Sequence, residues 1–368
     1  MTGHGLLVHE WIERIGGAER VLDEFAGMYP DADVLALWND DPGRYGDRVH
    51  ESLLAATALR RHKAAALPIM PAVWSRAARS LGEHDWALVS SHLFAHHVVV
   101  PGVAPERQFT YVHTPARYLW TPELDHRGRS LPVRVAAPPL RRLDRRRAQR
   151  LRNVAVNSAF VQERVRRTWG VESTVIHPPV DVTRVRRAVS SPELLSGSER
   201  SVLDGLPDGF VLGASRFVPY KELETVIAAG AAAGRPVVLA GCGPDEPRLR
   251  AVADLASVDV TFVIAPSDAM LAHLLERAAV FAFPGVEDFG IVPVEAMALG
   301  TPVIASVHGG ARDTVGALTG VHLSSTDRDE LREAVDRAVL LDPEDCRSAA
   351  DGFASERFRR EVRSWMHS

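Results

Sequence analysis

From one end of the chain to the other, short apolar runs alternate with amphipathic segments. Strands covered on both faces read as continuous apolar runs, and parallel neighbours need helical crossovers, so this alternation points to parallel sheets wrapped by helices. In the first half the runs predict strands at residues 6–9, 34–37, 87–90, 108–113, 154–157 and 173–176. In the second half the same reading gives residues 210–214, 236–240, 258–263, 279–282, 302–305 and 320–323. A length of 368 residues suits two domains of similar size. The Pro pair in His177-Pro178-Pro179-Val180-Asp181 stops a strand and marks the linker, with an irregular Ser- and Pro-rich stretch expected from there to about residue 209. The expected domains are 1–180 and 181–355. A last segment, 356–368, places Phe358, Val362 and Trp365 on one helical face and is expected to cross back to the first domain.

Composition excludes several classes. With 46% apolar and 24% charged residues the chain is neither disordered nor fibrous. Its two cysteines, Cys242 and Cys346, build neither a disulfide framework nor a four-ligand zinc site. No apolar stretch is long enough to span a bilayer, and Glu10 and Glu13 interrupt any apolar signal core, so a cytoplasmic location is expected. Residues 1–190 carry 27 Lys/Arg against 20 Asp/Glu, and residues 191–368 carry 16 against 27. The halves therefore differ in electrostatic character. Of the 43 cationic side chains only Lys63 and Lys221 are lysines, and neither follows a glycine, so the Gly-Lys-Ser/Thr phosphate loop is absent.

In open parallel sheets, ligands bind beyond the carboxyl ends of the strands. Four segments fall there. Gly16-Gly17-Ala18-Glu19-Arg20 is a glycine pair opening a helix, which suits an anion or simply a tight turn. The segment from Tyr111 to Trp120 puts His113 at a strand end, followed by Pro115 and aromatic residues, where an imidazole can meet a sugar hydroxyl. The loop Ser215-Arg216-Phe217-Val218-Pro219-Tyr220-Lys221 carries two cations able to clamp a diphosphate. The segment from Phe283 to Gly300 ends a strand, turns through glycine, and opens a helix near Pro293 that closes at Gly300, aiming amide groups at an anion. Glu287 and Glu295 would flank that anion as acceptors for sugar hydroxyls.

Rival features read as structural. Asp31-Ala32-Asp33 precedes its strand and so lies at the wrong edge for a catalytic metal pair. His92, His96 and His97 are expected as packing or surface groups, short of metal-site spacing. The basic run bounded by Arg141 and Arg152 reads as a solvated helix face, the alternative being contact with anionic lipid or a phosphorylated acceptor.

Taken together, Gly16 to Arg20, His113-Thr114-Pro115-x-Arg117-Tyr118, Asn157-Ser158, the Arg216 and Lys221 loop, Gly241-Cys242-Gly243-Pro244 and Glu287-x7-Glu295 resemble the family-four retaining glycosyltransferases. The resemblance covers nearly the whole chain and is most specific at Glu287-Asp288-Phe289-Gly290-Ile291-Val292-Pro293-Val294-Glu295. It implies an α/β chain of the GT-B class, two Rossmann-like domains facing across a cleft, with donor on the second and acceptor on the first. It further implies that Arg216 and Lys221 stabilise the leaving nucleotide diphosphate and that Glu295 binds the donor ribose. Glu287 with the backbone of Asp288, Phe289, Gly290, Ile291 and Val292 would hold the donor sugar. His113 would meet that sugar, Gly16 and Gly17 would close on the phosphates, and Ile264 would touch the base. Ala265-Pro266-Ser267 departs from the glycine-containing loop usual there.

The resulting expectation is a retaining hexosyltransferase that uses no cofactor and no metal, moves a hexose from a nucleotide diphosphate sugar to a glycan, lipid-linked or small-molecule acceptor, and has no nucleic-acid partner. The His113 segment is similar to bacterial polysaccharide mannosyl- and rhamnosyltransferases, which favours GDP-mannose over a UDP- or dTDP-sugar, and contact through the run from Arg141 to Arg152 would place the chain at the inner face of the plasma membrane. Two alternatives stand: a sugar-nucleotide epimerase on the same fold, and a noncatalytic sugar-nucleotide-binding subunit.

Overall fold

The computed structural model describes residues 3–14, 16–122 and 131–367. The chain divides into two compact units: residues 1–179 with 356–368, and residues 180–355. The first holds a seven-stranded parallel sheet of β1 (Gly5–His9), β2 (Asp33–Ala36), β3 (Val49–Glu51), β4 (Trp86–Ser91), β5 (Gln108–Val112), β6 (Asn153–Val156) and β7 (Thr174–Val175), in the order β3-β2-β1-β4-β5-β6-β7. Both faces are covered. Val8, Leu35 and Val89 pack on one side against Trp38, Met70 and Trp74, while Leu7, Val34 and Leu88 pack on the other against Phe25 and Phe358. That two-sided burial is why these strands read as unbroken apolar runs.

The helix Ser355–His367 belongs to this first unit. Phe358, Val362 and Trp365 are buried there, with Phe358 stacked 5.7 Å from Phe25 and the Trp365 ring 5.3 Å from Phe109. Burying each such side chain contributes roughly 1.5–3 kcal/mol. Arg359 adds an ion pair to Glu24 at 2.6 Å.

In the second unit β8 (Val211–Ala214), β9 (Val237–Gly241), β10 (Val260–Ile264), β11 (Val280–Phe283), β12 (Val303–Ser306) and β13 (Gly320–Leu323) form a six-stranded parallel sheet in the order β10-β9-β8-β11-β12-β13. In each sheet the strand order reverses beside the unit's first strand, at β1/β4 and at β8/β11. These are the switch points where crevices open in doubly wound sheets.

Two expectations need correction. Strand β3 lies outside the expected set: its three residues contain one apolar side chain, and it forms by backbone pairing with β2 in the register Val34↔Val49. The stretch after the Pro pair is not irregular, because it contains the helices Val182–Val189 and Gly197–Asp204. Their signals are caps: the Asp181 carboxylate accepts from the Arg184 N–H at 2.8 Å, and Ser196 with Glu199 makes a capping box. Of the histidines expected as packing or surface groups, His96 and His97 pack, both buried with Nε2 3.0 Å from an Asp144 oxygen, while His92 is half-buried.

Asp144 lies on the inner face of the basic helix Leu131–Ala148 and also accepts the indole N–H groups of Trp120 and Trp169, each at 2.7 Å. Burial opposes its charge, but the charges and hydrogen bonds of His96 and His97 outweigh it and hold the carboxyl well below its ordinary value. Arg142, Arg146, Arg150 and Arg152 are left exposed. The other lysine, Lys63, pairs with Glu13 and sits 4.2 Å over the Trp11 ring, an electrostatic contact that a compact ammonium suits.

Candidate active site

The carboxyl edge of the second sheet is built from the two strands at its switch point. Beyond β8, Phe217 is locked to the loop after β9 by bonds from its N–H to the Cys242 carbonyl at 2.9 Å and from the Asp245 N–H to its own carbonyl at 3.0 Å. This braces Arg216, which is exposed and donates to the Tyr220 hydroxyl at 2.9 Å. Lys221 follows one short turn later and pairs with Glu287, 66 residues away in the loop after β11. Sequence reading offers Arg216, Lys221 and Glu287 as separate candidates; the switch point brings the last two into contact.

The Glu287 loop is fixed from behind by the Gly310 N–H, which donates to the Glu287 carbonyl at 2.7 Å. It ends at Gly290, whose φ of +101° costs a side-chain-bearing residue steric strain. From there the helix Ile291–Ala298 begins, so Asp288, Phe289, Gly290, Ile291 and Val292 surround a helix N-terminus with its unpaired amide groups. Glu295 is buried on that helix, 3.5 Å from the Arg184 guanidinium, which Asp268 holds at 2.7 Å. Sequence reading misses Arg184, since 111 residues separate it from Glu295. Ile264 ends the edge strand β10, two strands from β8, and is 44% exposed.

The carboxyl edge of the first sheet has a different chemistry. His113 follows β5, its N–H donates to the Ser91 carbonyl at 2.8 Å, and its Nε2 lies 2.9 Å from the Ser90 hydroxyl. The same hydroxyl is 2.9 Å from His9 Nδ1, and His9 Nε2 is 3.9 Å from Glu19. The ends of β5, β4 and β1 therefore carry one relay, His113 to Ser90 to His9 to Glu19. Thr114 is held by the buried Arg164 at 2.7 Å, and Ser158 caps the helix Ala159–Trp169.

Gly16 precedes the helix Gly17–Met28, and a β-carbon there would fall 1.8 Å from a Glu19 oxygen. The resident anion at this helix start is thus Glu19. Burial raises its proton affinity, but the His9 hydrogen bond and the charges of His9 and His92 outweigh that and hold the carboxyl down at about 2. His92, packed between His9 and His113, is pushed well below its ordinary value by burial and by their charges. Beside them the Glu10 carboxylate accepts the Leu93 and Ala95 N–H groups at 2.8 and 2.6 Å, while burial raises its pKa.

Two family models match the chain: Glycosyltransferase Family 4 over residues 15–184 and Glycosyl transferases group 1 over residues 203–352. The chain is 32% identical over 223 residues to a GDP-mannose-dependent monoacylated alpha-(1-6)-phosphatidylinositol monomannoside mannosyltransferase of Corynebacterium glutamicum, an alignment covering 56% of this chain and 57% of that protein. It is 28% identical to a GDP-mannose-dependent alpha-(1-6)-phosphatidylinositol monomannoside mannosyltransferase of Mycolicibacterium smegmatis, over 98% of this chain and 94% of the relative. In fold it is similar to Anabaena HepE in complex with UDP-glucose, with TM-score 0.67 and 19% identity over 98% of both chains. It is also similar to sucrose-phosphate synthase from Thermosynechococcus elongatus, with TM-score 0.70 and 18% identity over 99% of this chain and 98% of the other. Two doubly wound parallel sheets, paired family matches along nearly the whole chain and a shared fold lead to one assignment: this chain belongs to the family-four glycosyltransferases of the GT-B class.

Proposed function

We propose that the chain is a retaining, metal-independent mannosyltransferase that takes GDP-mannose and glycosylates a hydroxyl of a membrane glycolipid. The observation that carries the reading is the meeting of Lys221 with Glu287 at the β8/β11 switch point, beside Arg216 and the helix start at Gly290. A leaving diphosphate develops negative charge as the glycosidic bond opens. An ammonium, a guanidinium and fixed amide groups stabilise that charge without reorganising.

In the ground state Glu287 neutralises Lys221. When diphosphate takes the ammonium, Glu287 is released to accept sugar hydroxyls, so donor binding and sugar recognition are linked at one ion pair. Glu295, paired with Arg184, accepts the ribose hydroxyls, with Ile264 toward the base. On the first sheet, His113, fixed through Ser90 and His9, is assigned to a sugar hydroxyl, and a phosphate at Gly16 and Gly17 would take the place that Glu19 now fills. For a retaining transfer the acceptor hydroxyl attacks the face the leaving group departs from: its oxygen bonds to the anomeric carbon, the bond to the diphosphate breaks, and a donor phosphate oxygen takes the proton.

The GDP-mannose preference is supported by the activities of the corynebacterial and mycolicibacterial relatives. Among the described residues no helix is long and apolar enough to cross a membrane. Contact with lipid would run through the exposed Arg142, Arg146, Arg150 and Arg152, each contributing about 1 kcal/mol near an anionic surface.

The test is turnover of GDP-mannose, UDP-glucose and dTDP-rhamnose against anionic vesicles carrying mannosylated phosphatidylinositol, with the product's anomeric configuration read by NMR. The expected product is an α-mannoside formed from GDP-mannose at an unchanged rate in EDTA. A β-linked product, an absolute need for a divalent ion, or donor conversion without acceptor would refute the reading.

A further inference from the structure

At the amino edge of the first sheet, opposite the strand ends described above, four adjacent strands each bring one metal-ligating side chain to the same place. His4 immediately precedes β1, Asp33 opens β2, His50 lies on β3, and His84 stands two residues before β4. Their sequence separations give no hint of this. Nε2 of His4 and Nε2 of His84 are each 3.0 Å from the same Asp33 oxygen, and Nε2 of His50 is 3.5 Å from the other. The His4 and His84 rings lie nearly parallel, 5.0 Å apart and inclined by 17°. The His4, Asp33 and His84 ligand atoms all fall within 4.8 Å of one another.

We infer that His4, Asp33 and His84 form a three-ligand site for a divalent transition metal, zinc being the best match, that ties the neighbouring strands β1, β2 and β4 together away from the catalytic edge, with His50 beside the other Asp33 oxygen. Two imidazole nitrogens and one carboxylate oxygen, with water in the fourth position, are a donor set that suits zinc. Zn–N and Zn–O bonds of about 2.0–2.2 Å put tetrahedral ligand atoms roughly 3.3 Å apart. The two 3.0 Å distances to the shared Asp33 oxygen fall a few tenths of an ångström short of that value.

The scaffold is rigid. The His4 N–H donates to the Asp85 carboxylate at 2.7 Å, and the Asp85 N–H returns a bond to the His4 carbonyl at 2.8 Å, so the first and last ligand-bearing strands are cross-tied behind the site. His84 is buried, while His4 and His50 are partly exposed, which gives an entering ion a path. The other histidine–carboxylate group, His96, His97 and Asp144, is fully enclosed, and its carboxylate already faces two imidazoles and two indole donors, which leaves an ion no vacant ligand position.

The experiment uses untagged full-length protein stripped with chelator and titrated with Zn2+ by calorimetry. One equivalent per chain is expected to bind and to raise the thermal transition, saturating with binding as a ligand of the folded state must. Cobalt in its place should absorb strongly in the visible, as four-coordinate cobalt does. Asp33→Asn should weaken zinc binding by at least the roughly 10- to 100-fold seen when a mere supporting partner is lost. Because His84 is buried and its variant risks misfolding, the partly exposed His4→Gln serves as the second test and should show a similar loss, with sugar transfer unchanged. Absence of stoichiometric binding, binding that survives Asp33→Asn and His4→Gln, or binding lost in His97→Gln would overturn the site.

Discussion

The two carboxyl edges stand in the same topological place and use opposite electrostatic means. Beyond β8 and β11 the functional groups are permanent cations, Arg216 and Lys221, set against Glu287 and a helix start. Beyond β1, β4 and β5 they are imidazoles and a hydroxyl, His113, Ser90 and His9, ending on Glu19. The chain also splits its charge, with basic residues in excess over 1–190 and acidic ones over 191–368. Hence the cations of the second edge sit in the half whose overall charge repels anions. Local geometry, not net charge, makes that edge suited to a diphosphate. The first edge instead ends on a titratable carboxyl, Glu19, whose pKa His9 and His92 hold down.

The largest expected effect breaks the second edge alone. Lys221→Ala should lower kcat/KM for GDP-mannose by roughly 10²–10³-fold, the scale of losing one preorganised donor to a developing negative charge. Far-ultraviolet dichroism and the melting temperature should hardly move, since Glu287 at 25% side-chain exposure can be resolvated. A folded Lys221→Ala protein with near-normal turnover would remove the distinction between the edges.

Acid should act on the first edge. The Glu19 carboxyl is held near 2 against an ordinary value of 4.5, so its stabilising contribution is complete above about pH 4.5 and is lost as pH falls through 2. A depression of that size corresponds to about 3 kcal/mol. Glu19→Gln should therefore melt well below the parent protein at pH 7, and the gap should narrow as pH is lowered towards 3. A gap independent of pH would mean that His9 and Glu19 are not electrostatically coupled.

How far each edge can be read from sequence depends on where its groups lie on the strands. Arg216, Lys221 and Glu287 occupy loops after strands, so a search of the residues just beyond each apolar run finds them. Ser90 and His9 are themselves the closing residues of runs that read as strand, and only the spatial order β1-β4-β5 joins them to His113. Twelve strands stand out as apolar runs, whereas β3 has one apolar residue and is specified by pairing with β2. Asp33 looks misplaced for catalysis, and it does lie at the amino edge. What the sequence hides is that His4, His50 and His84 converge on it, because adjacency there is a property of sheet order.

The smallest expected effect concerns the loop after β10. Ala265 replaces the glycine usual in such loops and yet adopts φ +48°, while its N–H still donates to the Gly241 carbonyl at 3.0 Å. The left-handed conformation costs an alanine roughly 1–2 kcal/mol, and glycine would remove that strain while gaining unfolded-state freedom worth roughly 0.5–1 kcal/mol. The difference leaves Ala265→Gly more stable by up to about 1.5 kcal/mol, a rise of up to about 3–6 °C in the transition of the second unit. Ala265→Val, whose branched side chain is disfavoured at positive φ, should shift the same transition downward. Neither change should touch the acid response of the first edge. A glycine variant that melts lower would mean that the alanine methyl makes a packing contribution larger than the strain it carries.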